Sequence, residues 1–357
     1  MRLGKIYRYP IKGFTPQQID GGRLSVGAGL PFDRYCGFTC GNLPDQPAPG
    51  VWVPARTFLQ LTFFPEVAKL TASFDDADRS IVITAPDGQS ATAALDEPDG
   101  FAGVNDLIRS RFEPGPHAIP ELHVQAPGHG NWDFTDTAVS IINLASVREL
   151  SRAAGMEVDP LRFRGNLLLE DLPAWAEFAM IGRRYRIGDA EIEVMRPARR
   201  CAATTVDPAT ADTAVNVPAI LRKLTGHIYC GVYARVVRTG DIGENDALED
   251  LGPWDGDPHD NLPGNVPDAQ EWPRFVRLAE PGTGTLTFQN LSENWPLKPG
   301  STGNEIRIHP VAGDPATMIR LKLVADADAE TFTCQTHEAA SKLSDGAWVL
   351  ASGPYSV

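Results

Sequence analysis

Short apolar runs that alternate at period two, set apart by turn residues, recur along this chain and leave it few folds that are not rich in β-strand. Met318-Ile319-Arg320-Leu321-Lys322-Leu323-Val324, Thr285-Leu286-Thr287-Phe288 and Glu305-Ile306-Arg307-Ile308 each send every second side chain to one face, the pattern of a half-buried strand. Ser80-Ile81-Val82-Ile83-Thr84 does the same and runs into Pro86-Asp87-Gly88, a hairpin turn signal. Val51-Trp52-Val53 and Leu59-Gln60-Leu61-Thr62-Phe63-Phe64 read as further strands. Residues 184–194 read as two strands joined at Gly188-Asp189, with Asn166 to Leu169 and Ile228 to Val237 as two more. Helices are few. Ala145 to Ala154 form the clearest one, with Asn143 as candidate N-cap and Gly155 as a natural C-cap. Gly100 to Arg111 and Pro218 to Leu224 are shorter candidates. The fold expected is mixed α/β, mainly β.

At 357 residues the chain has room for two or three domains. Four stretches differ in character: a β-rich 1–115, a mixed 116–250, an acidic and proline-rich 251–272, and a β-rich 273–357. The third lies within a longer run, Asp241 to Glu271, that contains no Lys or Arg and has prolines at 253, 258, 263 and 267. Such a segment buries little apolar surface and reads as a linker. The net charge of −14 argues against binding nucleic acid or an anionic membrane, since both need a basic face. No apolar run reaches 18 residues and no apolar leader follows Met1, so neither a membrane span nor a signal peptide is expected. Five cysteines, an odd and sparse set, fit a reducing cytoplasm. Cys36 and Cys40 lie close together without a second pair to complete a metal pattern, and Cys334 is the only cysteine in the last hundred residues, so the tail cannot hold a four-cysteine cluster. His117, His123 and His129 fit no compact zinc spacing.

The chemistry concentrates in Arg196-Pro197-Ala198-Arg199-Arg200-Cys201-Ala202-Ala203-Thr204-Thr205-Val206-Asp207-Pro208. A cysteine beside two arginines is placed to favour the thiolate, the form that acts as nucleophile or soft-metal ligand. Asp207-Pro208 reads as the turn that presents it. Four other pieces accompany this segment: Tyr9-Pro10-Ile11-Lys12-Gly13, Phe32-Asp33-Arg34-Tyr35, Asp136-Thr137 and Phe163-Arg164-Gly165-Asn166. Gly240-Asp241-Ile242-Gly243 follows where a closing strand would end. No glycine-rich phosphate loop, nucleophile elbow or dinucleotide fingerprint is present, so nothing points to a nucleotide or nicotinamide site.

In their order and spacing these pieces resemble the family that joins an N-terminal β-barrel to a molybdenum-cofactor sulfurase C-terminal (MOSC) domain, and within it the mitochondrial amidoxime reducing component and its bacterial counterparts. The resemblance covers roughly residues 1–250, and Arg-Cys-x-x-Thr-Thr-Val-Asp-Pro is its specific part. It implies an N-terminal β-barrel, a MOSC β-barrel with flanking helices and, outside the resemblance, a β-rich C-terminal extension. It also implies a molybdenum cofactor, with Cys201 as the catalytic residue and metal ligand. Lys12 and Arg34 would hold the cofactor phosphate, Thr137, Arg164 and Asn166 would line the pterin pocket, and Arg199 would be a further cofactor or substrate contact. The implied activity is reduction of N-oxygenated compounds such as N-hydroxylated amidines or hydroxylamines. Electrons would come from a separate flavin- or ferredoxin-type donor. The alternatives are a carrier of the cofactor or of persulfide sulfur on Cys201, and a non-catalytic binding module. Three positions depart from the family: Gly13 stands where some relatives have a hydroxyl residue, Ala138 where the reducing-component relatives tend to have serine, and Arg199 where a small residue is usual.

Overall fold

The structure, a computed structural model, describes residues 1–40, 47–112, 120–255, 274–281, 285–291, 305–310, 319–324, 331–336 and 347–352. In chain order its first strands are β1 (Arg2–Arg8), β2 (Gln17–Ile19), β3 (Gly21–Leu24) and β4 (Cys36–Thr39). A three-stranded meander follows: β5 (Thr71–Asp75), β6 (Ser80–Thr84) and β7 (Ser90–Ala94), with Thr84 opposite Ser90 across the Asp-Gly turn. Alternation along β6 buries Ile81 and Ile83 completely, each contributing roughly 1.5–3 kcal/mol of apolar burial. The helix α1 (Ala102–Arg109) turns Val104, Leu107 and Ile108 into the same core. Then β8 (Glu121–Val124) pairs antiparallel with β4, which places His123 opposite Gly37. His123 is buried in this strand, and His117 lies outside the described residues.

The next stretch builds the largest sheet. It contains β9 (Val139–Asn143), α2 (Leu144–Ala154), β10 (Leu167–Glu170), β11 (Arg183–Ile187), β12 (Ala190–Arg199), α3 (Val217–Thr225), β13 (Tyr229–Arg238), β14 (Gly240–Gly243) and β15 (Leu248–Pro253). Eight strands run in the order β15-β11-β12-β13-β9-β10-β1-β2. Only β9 and β10 are parallel, and α2 is their crossover, as a parallel pair requires. Asn143 caps α2 by accepting from the Ala145 N–H, and Gly155 ends it at φ 69°, both as the sequence expects. Two strands from the N-terminal stretch, β1 and β2, complete this sheet, and β3 pairs with β14. With β4 paired to β8, strands on either side of residues 115/116 pair in three places: β1 with β10, β3 with β14 and β4 with β8.

Beyond it come β16 (Arg274–Pro281), β17 (Thr285–Asn290), β18 (Glu305–Pro310), β19 (Ile319–Leu323), β20 (Thr331–Thr336) and β21 (Ala347–Ser352). They close into an antiparallel barrel in the order β16-β17-β20-β19-β18-β21. Leu286, Phe288, Ile308, Leu321 and Cys334 are buried in it. The fold is mainly β with three α-helices among the described residues. Among the described residues the closed barrel is the C-terminal one; residues 1–112 form the three-stranded β5-β6-β7 sheet and lend β1 and β2 to the large sheet, β3 to a pair with β14 and β4 to a pair with β8. The acidic segment from residue 256 onward lies outside the described residues, while residues 251–253 belong to β15.

Two expected strands are absent. Val51 to Val53 is irregular, and Leu59 to Phe64 is mostly turn. Phe58 makes a single bridge to Thr39, and the Leu59 N–H reaches the Phe38 carbonyl. The chain then folds back, with the Phe63 and Phe64 N–H groups both donating to the Gln60 carbonyl. Leu59 and Leu61 fill the core while Phe63 stays 64% exposed, so the apolar run serves packing without a strand. No helix among the described residues is long and apolar enough to cross a membrane.

Candidate functional site

The end of β12 sets the site. Ala198 is fully buried, Arg199 exposed, Arg200 buried and Cys201 exposed. Extended backbone sends successive side chains to opposite sides, so Arg199 and the thiol share the open side while Arg200 turns inward. Arg200 Nε donates to the Cys230 carbonyl at 2.7 Å and Nη1 to the Phe163 carbonyl at 3.0 Å. It braces β13 against the loop before β10. Of the two arginines beside the cysteine, only Arg199 is on its side.

Cys201 is followed by a short 3-10 turn, Ala202–Thr205, in which Thr204 donates to the Cys201 carbonyl through both its N–H and its hydroxyl. Asp207 holds the far end. Its Oδ1 accepts from the Ala209 and Thr210 N–H groups, and its Oδ2 accepts from Arg162 Nη2 at 2.7 Å. Arg162 Nη1 also donates to the Thr205 carbonyl at 2.6 Å. The Asp-Pro turn therefore presents the thiol as expected, and Arg162 clamps it although no neighbouring residue marks Arg162 for that role. Its partner lies 45 residues away.

Facing the thiol segment is a cationic wall. Arg34 and Arg164 both take left-handed backbone, φ 52° each, at a cost of about 1–2 kcal/mol per residue. Their guanidinium carbons lie 4.6 and 4.2 Å from the centroid of the buried Tyr9 ring. Arg34 pairs with Asp33 and donates to the Arg164 carbonyl at 2.9 Å; Arg164 Nη1 donates to the Phe14 carbonyl at 2.7 Å. Burial pushes Arg164 down to about 10. Lys12 Nζ, also buried, donates to the Asn131 carbonyl at 2.7 Å and pairs with Asp133. Burial lowers its pKa, with Asp133 acting in the opposite direction. Gly13 has φ +88°, and a Cβ there would sit 2.7 Å from the Leu59 carbonyl oxygen. Only glycine fits, which explains the missing hydroxyl residue.

One cleft of about 970 Å³, open mouth included, joins these groups: Lys12, Arg34, Arg164, Asn166, Arg199 and Cys201 all line it. Thr137 does not. Its hydroxyl donates to the Gly27 carbonyl at 2.9 Å, and its neighbours Asp136 and Ala138 are the ones on the wall. Asn166 lines the cleft with its amide engaged: Oδ1 accepts from the Ser140 N–H and from Arg34 Nη1 at 3.4 Å, and Nδ2 donates to the Tyr7 carbonyl. It ties β1 to the neighbouring strands. Arg162, Arg200, Ser140 and Asp133 line the cleft too and were not singled out as site residues from the sequence. Their partners come from distant segments, so no spacing marks them.

Four buried donors on this wall, Arg162 Nε, Arg164 Nη2, Arg200 Nη2 and the Ser140 hydroxyl, have no protein partner among the described residues. Buried guanidinium donors without an acceptor are costly, so the arrangement suits an anionic ligand with several acceptor oxygens. Among the described residues no group of three or more His, Cys, Asp or Glu could hold a metal ion. A metal at Cys201 would have to bring most of its ligands with it. Together these features fit a metal carried by an anionic organic cofactor.

A mainly-β fold with a thiol and a cationic wall in one cleft is the class of protein that structure defines. Residues 118–249 match the MOSC domain family, and this part of the chain is a MOSC domain, a family linked to molybdenum-cofactor binding. Among solved structures the chain is similar to YiiM from Geobacillus stearothermophilus, at 20% identity and a TM-score of 0.26, over 32% of this chain and 53% of that one. It is similar to YiiM from Escherichia coli at 22% identity and a TM-score of 0.25, over 32% and 55%. The YUAD protein from Bacillus subtilis aligns over 69% of this chain and 93% of its own, at 13% identity and a TM-score of 0.32. The chain thus spans about half the length of the two YiiM proteins. No curated protein matches it.

Proposed function

We propose that the chain is a molybdenum-cofactor oxidoreductase that reduces N-oxygenated compounds, N-hydroxylated ones among them, with electrons from a separate flavin- or ferredoxin-type donor. The observation that carries this reading is the cleft that joins an exposed thiol to buried guanidinium donors with no protein acceptor. Cys201 would supply the protein's sulfur ligand, a soft donor suited to such a metal. Lys12 and Arg34 would hold the phosphate, the arginine as a planar fork and the lysine as a point charge, and Arg164 would line the pterin pocket. The bound cofactor supplies the redox chemistry. The chain's own part is to hold and orient. The Tyr9 ring fixes both arginine planes, Arg162 fixes the loop that carries the thiol, and Arg200 fixes the strand end before it. Five free thiols suit a reducing cytoplasm as the setting.

Metal analysis of protein from a cofactor-producing host, wild type beside Cys201→Ala, tests the reading. Near-stoichiometric molybdenum that falls in the variant, together with hydroxylamine reduction by the wild type from an artificial donor, is the expected result. Molybdenum without any reduction would favour a carrier. No molybdenum in either protein would overturn the enzyme reading and leave a binding module or a persulfide carrier.

A further inference from the structure

We infer that Arg199 sets the charge class of the substrate, taking the anionic group of a carboxylate-bearing N-oxygenated compound and disfavouring cationic ones. The inference rests on the oxidoreductase reading and narrows it. Every other cation that lines the cleft is engaged by the protein. Lys12 pairs with Asp133 and Arg34 with Asp33; Arg162 pairs with Asp207. Arg164 and Arg200 donate to backbone carbonyls. Among the described residues Arg199 alone of these has no carboxylate, carbonyl or ring partner. Arg148 and Arg222 are likewise exposed without a side-chain partner among the described residues, so what sets Arg199 apart is that its unpaired charge lies in the cleft.

Its position gives the unpaired charge a use. Strand alternation puts Arg199 on the side of the Cys201 thiol, and both are exposed within the same cleft. Arg34 and Arg164 are gathered instead around the Tyr9 ring, and Lys12 lies over Phe58. A guanidinium beside the thiol is then free to meet what enters through the mouth. Its planar fork matches a carboxylate in two parallel hydrogen bonds. A cationic N-oxygenated compound would meet like charge at that point.

The experiment uses the cofactor-loaded protein, wild type with Arg199→Ala and Arg199→Lys, and two readouts. Calorimetric titration compares benzoate with benzyl alcohol, a neutral probe of similar size, and needs no turnover. Wild type should bind benzoate about tenfold more tightly, the size of one charge-assisted contact in a partly open site. Arg199→Ala should bring the two probes to near parity, and Arg199→Lys should keep part of the preference. Reduction of 4-carboxyphenylhydroxylamine and phenylhydroxylamine should show the same shift as a ratio of KM values. Equal benzoate preference in wild type and Arg199→Ala would overturn the inference. So would loss of molybdenum from Arg199→Ala with benzoate preference intact, which would assign Arg199 to the cofactor. An Arg199-dependent benzoate preference in a protein that reduces neither hydroxylamine would support the charge assignment and sink the oxidoreductase reading alone.

Discussion

Four of the five cysteines are buried, and Cys201 alone is exposed. Burial pushes the Cys40 thiol up to about 11 and the Cys334 thiol to about 12, and raises Cys36 and Cys230 as well. Since the thiolate is the reactive form, the metal-free native protein should give one fast-reacting thiol per chain with a disulfide reagent such as DTNB. Cys201→Ala should give none until it is unfolded. Gly13 is the other residue whose role is fixed by its own geometry. Gly13→Ala forces a side chain into left-handed backbone against the Leu59 carbonyl and should cost about 2 kcal/mol. A shift in the urea midpoint without a change in slope would be the measure of it.

Asn143 does three things at the start of α2. It caps the helix, donates to the Pro173 carbonyl, and donates to Glu177, whose carboxylate also accepts from Ser146 and from the Gly231 N–H. Asn143→Ala leaves the buried Glu177 short of a donor and the helix uncapped, and should cost about 2–4 kcal/mol in denaturant unfolding. On β8, burial lowers the pKa of His123 below its ordinary 6.5. The folded protein therefore binds fewer protons there than the unfolded chain over the window from 6.5 downward. Its stability contribution is present above 6.5 and lost as pH falls through the folded value. His123→Phe, which also keeps a ring beside Phe58, should flatten the decline in stability below pH 6.5. The same slope in both proteins would refute that account. The failed strand at 59–64 belongs to this scale as well. Its apolar period was legible, but the Gln60 turn that brings Leu61 to the cleft wall rests on contacts with β4, distant in sequence.

The strands of the C-terminal barrel pair only with one another, whereas β1 and β2 are built into the eight-stranded sheet. Ending the chain at residue 255 should therefore leave the cleft intact and, on the proposed function, its molybdenum bound. The melting temperature should fall by a few degrees, because Leu291 packs against the main core. Metal analysis and thermal unfolding of that truncation would check both parts. Reductase activity lost with molybdenum retained would place the proposed electron donor's docking on the barrel, and unchanged activity would place it elsewhere. Removing β1 instead should abolish folding, since it takes a central partner from β10.

By itself the sequence determined the strand-rich class, the capped helix α2 and the Cys201 segment, because period, caps and turns are local and are written in neighbouring residues. It also placed Lys12, Arg34, Arg164, Asn166, Arg199 and Cys201 through a resemblance in motif order, and the structure brings those six into one cleft. What only the tertiary structure decided is which side chains are free to act there. Asn166 is held by backbone groups of two other strands, Thr137 is turned to Gly27, Arg200 is turned inward, and Arg162 reaches Asp207. Each of those outcomes depends on partners distant in the chain, and hydrogen-bond satisfaction among buried groups is settled only when the segments meet.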